Sequence, residues 1–107
     1  MQPLFMYKAV ADGDVDVITA FSSDGRISEY DLVTLEDPRA AIPPYDAILL
    51  LAPKRRDDVA LTNALQPLVD RISVEHMREA NLIVSRETDQ VPPAEAARRL
   101  WTATGTP

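Results

Sequence analysis

The sequence predicts an α/β chain in which a short mixed sheet is followed by C-terminal helices. Three observations predict it. Residues 15–21 and 32–35 are dense in β-branched and apolar side chains and lack a helical period. Residues 47–52 form an unbroken apolar run, Ala47-Ile48-Leu49-Leu50-Leu51-Ala52, as expected of a strand covered on both faces. From Leu61 onward the apolar residues fall three and four apart, the spacing of a helix stripe. Strands first and helices last give a helical layer packed on a sheet.

The elements follow in order. Residues 4–11 read as a short helix closed at Asp12-Gly13, where Gly13 supplies a left-handed C-cap. In Val15-Asp16-Val17-Ile18-Thr19-Ala20-Phe21, Val15, Val17, Thr19 and Phe21 share one face of a mostly buried strand. Ser22-Ser23-Asp24-Gly25 stops it with turn chemistry. A second strand, residues 32–35, ends at Glu36-Asp37-Pro38. Ala41 to Tyr45 cannot be helical, because the residue before a proline is pushed out of the α region; it leads into the third strand, 46–52. Leu61, Leu65, Leu68 and Ile72 make one stripe, with a kink or break expected before Pro67. Ser73 is the expected N-cap of a helix with Met77 and Ala80 inward. The last helix is expected to start at Pro93, to carry Ala97, Leu100 and Trp101, and to fray over 102–107.

With 107 residues the chain is read as a single domain, 1–107. At 46% hydrophobic and 26% charged it has a globular composition. The absence of cysteine excludes disulfides, zinc–thiolate sites and a thiol nucleophile. A net charge of −6 argues against nucleic acid and anionic membranes as partners. The opening Met1-Gln2-Pro3-Leu4-Phe5-Met6 has neither the basic nor the apolar region of a signal peptide.

Little in the chain could assemble catalysis. His76 is the sole histidine, no G-x-S-x-G elbow surrounds any serine, and no enzyme activity is expected. Asp12-Gly13-Asp14-Val15-Asp16 begins like a calcium loop, but positions six and twelve are Val17 and Ser23, so no metal site is expected. Asp12 and Asp14 are instead expected to hold the turn with their side chains. Lys54-Arg55-Arg56 is neutralised at once by Asp57-Asp58, which reads as a solvated loop and a helix cap. Three scattered glycines make no phosphate loop, and no cofactor is expected. Phe21, at a strand end, and Tyr45, after a rigid Pro-Pro, remain. On composition both read as core residues; a rigid aromatic on a rim is also what a quaternary-ammonium box requires.

Four ordered segments give that second reading weight. They are Tyr7-Lys8-Ala9 to Val15-Asp16-Val17, Ala20-Phe21-Ser22-Ser23-Asp24-Gly25, Asp31-Leu32-Val33-Thr34-Leu35-Glu36-Asp37, and Pro43-Pro44-Tyr45-Asp46-Ala47. Ile72 to Asn81 and Pro93 to Leu100 follow in register. Together they resemble the C-terminal part of the substrate-binding proteins of osmoprotectant ABC transporters, the OpuAC-like family that binds glycine betaine and choline. The resemblance implies part of a type II periplasmic-binding-protein fold. It implies an extracytoplasmic receptor that delivers a quaternary-ammonium solute to an ABC permease subunit. It places Phe21 and Tyr45 at aromatic-cage positions, with Ser22 beside them. Phe21 stands where the family has Tyr, which loses a hydroxyl and keeps the ring face. The match covers only the C-terminal portion of a two-lobed receptor, so an N-terminal lobe or a fused permease would have to supply the rest. Uncovered strand edges then imply self-association, strand exchange being one route. The alternative is a truncated domain that binds no solute and acts as an oligomeric structural or regulatory module, with both rings buried in an interface.

Overall fold

A computed structural model describes residues 3–105; the ends of the chain, including the last two residues of the tail expected to fray, lie outside the described residues. The first helix, α1 (Pro3–Asp12), is rich in good helix formers and carries its proline in the first turn, where the missing N–H costs nothing. It stops as expected. Gly13 takes φ 79°; its N–H donates to the Val10 carbonyl at 3.3 Å and that of Asp14 to Ala9 at 2.8 Å, the paired bonds of a Schellman cap. The Asp12 carboxylate pairs with Lys8 at 2.6 Å, so backbone bonds rather than the expected aspartate side chains hold this turn.

A one-turn helix that the sequence reading left out, α2 (Arg26–Glu29), follows the Asp24-Gly25 turn and buries Ile27. Helix α3 (Val59–Leu65) is capped by Asp58, whose carboxylate accepts from the Leu61 N–H at 2.9 Å and from Arg55 at 2.8 Å. The helix ends before Pro67, and a 3-10 turn over Gln66–Leu68 carries the chain past it. Helix α4 (Val74–Ser85) begins at Ser73, whose hydroxyl accepts from the His76 N–H at 3.3 Å. Helix α5 (Pro93–Ala103) begins at Pro93. The caps and breaks written into the local sequence therefore appear where expected.

The core is small. Helix α4 is the spine, packed against α2 on one side and α5 on another. Tyr7, Ile27 and Ala96 are the buried hydrophobic residues among those described. On α4, Met77 lies more outward than expected, while Ala80 is half-buried.

The expected sheet is absent: no strand forms among the described residues. Residues 15–21, 32–35 and 46–52 run extended or irregular and largely exposed, with Val33 85% and Leu50 83% accessible. The reason is physical. A helix satisfies its own backbone, whereas a strand needs a neighbour to receive its N–H and C=O groups, and among the described residues these segments form no backbone ladder with one another. The radius of gyration is 17.0 Å, against about 13 Å for a compact chain of this length. The accessible surface is 8891 Å², against roughly 5,900 Å² for a folded monomer of this mass.

Candidate functional site

The site grows from the turn between residues 21 and 26. The Asp24 N–H donates to the Phe21 carbonyl at 3.0 Å, which closes the turn. One Asp24 carboxylate oxygen accepts from the Arg26 backbone N–H at 3.0 Å and from Arg26 Nε at 2.9 Å. The other accepts from Arg26 Nη2 at 2.7 Å. Such a two-point guanidinium–carboxylate pair holds both side chains in one plane. The guanidinium carbon stands 4.3 Å from the centre of the Tyr7 ring, tying the turn to α1.

These contacts set the local electrostatics. Burial, then a hydrogen bond to Asp24, pushes the Tyr7 phenol up from 10.0 to about 12. Burial alone would raise the Asp24 carboxyl; bonds from the Arg26 side chain and backbone and from Tyr7 more than offset it, so Asp24 lies below its ordinary range.

Helix α4 fastens the turn from the other side. The Asn81 amide donates to the Ser23 carbonyl at 2.8 Å, and the Arg78 guanidinium donates to the Ser22 carbonyl. Gly25 lies directly against the helix. A Cβ there would come within 2.4 Å of the Leu82 backbone nitrogen, so no larger residue fits without movement.

Tyr45 reaches the same place by a different route. Ala40 adopts φ 48°, and its N–H donates to the Asp37 carbonyl at 3.1 Å. The Asp37 carboxylate accepts from the Ile42 N–H at 2.8 Å. Backbone N–H donors from Ile42, then Ala41, hold its pKa below the usual carboxylate range. This turn redirects the chain into Pro43-Pro44, and the stiff pair carries Tyr45 back over Phe21. The two ring centres lie 5.0 Å apart, with the planes tilted by 38°.

Both rings line an open cavity of about 630 Å³, together with Asp24, Arg26, Glu29, Tyr30, Asn81 and Glu87 among others. Phe21 is 60% and Tyr45 82% accessible. The structure thus joins two of the three expected site residues. Ser22 is exposed and does not line the cavity; its carbonyl is the acceptor for Arg78. Sequence reasoning did not single out Tyr30, Asn81 or Glu87. Only the tertiary fold brings α4 to the turn, and no local motif announces it. Among the described residues, no group of three or more potential metal ligands gathers. His76 spends its backbone N–H on the Ser73 cap, its ring Nδ1 stands 3.3 Å from the Ser73 hydroxyl, and the residue lines a separate cavity of about 140 Å³ between α4 and α5.

Residues 1–103 match a family of receptor domains, described as the substrate binding domain of the ABC-type glycine betaine transport system. The chain belongs to this family. Its relatives include the carnitine transport binding protein OpuCC of Listeria monocytogenes serotype 1/2a (strain 10403S) and the same-named protein of Listeria monocytogenes. Each is 34% identical over 82 residues, covering 76% of this chain and 27% of the relative. The chain thus spans little more than a quarter of the length of these relatives. No solved structure matches. Among the described residues, no helix is long and apolar enough to cross a membrane.

Proposed function

We propose that this chain supplies one wall of the binding site for a quaternary-ammonium osmoprotectant such as glycine betaine or choline. In that role it serves, outside the cytoplasmic membrane, an ABC permease subunit. The observation that carries this reading is the meeting of Phe21 and Tyr45 in one cavity from segments 24 residues apart. A quaternary ammonium has no N–H to donate, so hydrogen bonds cannot select it, but ring faces can. Family membership supports the same reading.

The test is calorimetric titration of the chain with choline and glycine betaine, beside Phe21→Ala and Tyr45→Ala. Each ring is worth roughly 0.5–2 kcal/mol, so each variant is expected to weaken binding by about 2- to 30-fold. Unchanged affinity in both variants removes the rings from the site.

The exposed extended segments favour a second element of the proposal, self-association. Residues 47–52 are uncharged and apolar throughout, with alanine at both ends. Antiparallel pairing with a second copy sets Ala47 against Ala52, Ile48 against Leu51 and Leu49 against Leu50.

A further inference from the structure

Tyr7 sits on α1, is only 3% accessible and does not line the aromatic cavity. It nonetheless touches two groups that do. Its phenol donates to the Asp24 carboxylate, and its ring face lies 4.3 Å from the Arg26 guanidinium carbon. Asp24 and Arg26 are themselves joined at 2.9 and 2.7 Å. The three side chains thus close a cycle in which each contacts the other two.

That cycle reaches Phe21 through a single residue. The Asp24 carboxylate also accepts the Arg26 backbone N–H at 3.0 Å, and the Asp24 N–H donates to the Phe21 carbonyl at 3.0 Å. An aspartate has two side-chain torsions, and donors from Tyr7, from the Arg26 side chain and from the Arg26 backbone leave neither free. With the side chain fixed, the peptide that closes the turn is fixed, and so is the base from which the Phe21 ring stands. We infer that Tyr7 and Arg26 are positioning residues for the binding site: acting through Asp24, they hold the turn in the shape that sets the Phe21 ring against Tyr45. The inference rests on the binding reading above and extends it to groups behind the cavity wall.

A positioning role of this kind acts on the ring that meets the ammonium group, which choline and glycine betaine share. It changes affinity for both by the same factor. A residue that meets the part in which the two compounds differ does not. Loss of one hydrogen bond from the cycle is expected to weaken binding about 2- to 10-fold.

The experiment titrates the chain with choline and with glycine betaine, beside Tyr7→Phe, Arg26→Lys and Phe21→Ala, circular dichroism following helix content in each. Tyr7→Phe removes only the hydroxyl and keeps the ring under Arg26. Arg26→Lys keeps the charge and gives up the planar fork. Proton NMR reads the cross-peaks between the Phe21 and Tyr45 rings, whose centres lie 5.0 Å apart. The expected result in both positioning variants is the same loss of affinity for the two compounds, weakened ring–ring cross-peaks and unchanged helix content. Wild-type affinity in Tyr7→Phe and Arg26→Lys, with binding weakened in Phe21→Ala, overturns the positioning role and leaves the aromatic site standing. Weaker binding with the ring–ring cross-peaks intact also overturns it, because the effect then does not pass through Phe21. Loss of helix content in Tyr7→Phe makes that residue a core residue alone and overturns its part, Arg26→Lys then deciding its own by the same two readouts. Absence of binding by the wild-type chain overturns the aromatic reading and the positioning role with it.

Discussion

At the scale of single residues, Asp24 joins the most groups at the site. It receives Arg26 from backbone and side chain, accepts from Tyr7, and closes the turn that carries Phe21. Its carboxyl is depressed in the folded chain, so it binds a proton less readily there than in the unfolded chain. The stability it contributes is therefore present above the unfolded carboxylate value of about 3.9 and is lost as pH falls through the lower folded value. Asp24→Asn is expected to remove this acid-dependent step while leaving the helices in place. Paired pH melts followed by circular dichroism test it: coincident acid limbs in the two proteins would show that Asp24 is not the group responsible. Tyr7 acts at the other extreme. Its phenol, raised to about 12, contributes stability below pH about 10 that is lost as pH rises toward the folded value.

At the scale of elements, the site depends on how the turn lies against α4. Gly25 allows the close approach, and Arg78 and Asn81 bind the Ser22 and Ser23 carbonyls just before it. Gly25→Ala forces a Cβ into the α4 backbone and is expected to cost about 1–3 kcal/mol and to weaken choline binding with it. Denaturant unfolding checks the first effect and calorimetry the second; full stability in the variant would mean that the turn does not rest on the helix. The legibility of the elements follows from the range of the interactions that make them. Ser73, Asp58, Pro67, Pro93 and Gly13 act within one helical turn of themselves, so their roles could be read directly from the sequence. The segments at 15–21, 32–35 and 46–52 have strand composition, but composition does not provide a partner, and without one they remain extended. Phe21 and Tyr45 were legible as a pair only through ordered motifs along the chain. Asn81 and Glu87 were not, because their place in the cavity is set by the packing of α4 against α2.

At the scale of the whole molecule, the chain exposes about half again the surface of a compact domain of its mass. Leu35, Ile48, Leu50 and Val33 are prominent in that excess. Apolar, uncharged, extended backbone of this kind is a template for pairing with another chain. The protein is expected to be at least dimeric at micromolar concentration, and Leu50→Lys to shift it toward monomer by placing a charge in the paired segment. Light scattering decides this; a monomeric wild-type chain would remove self-association from the proposal. The helical layer, whose caps are local, is expected to survive in both states.

The two rings differ in how their segments are moored. Phe21 rides on a turn stitched to α4 and α1, whereas Tyr45 stands on an extended stretch with no ladder beneath it. A solute gripped by both rings acts as a staple between a fixed jaw and a loose one. Part of its binding free energy goes into seating the loose jaw, so affinity depends on the stiffness of Pro43-Pro44 as well as on the chemistry of the rings.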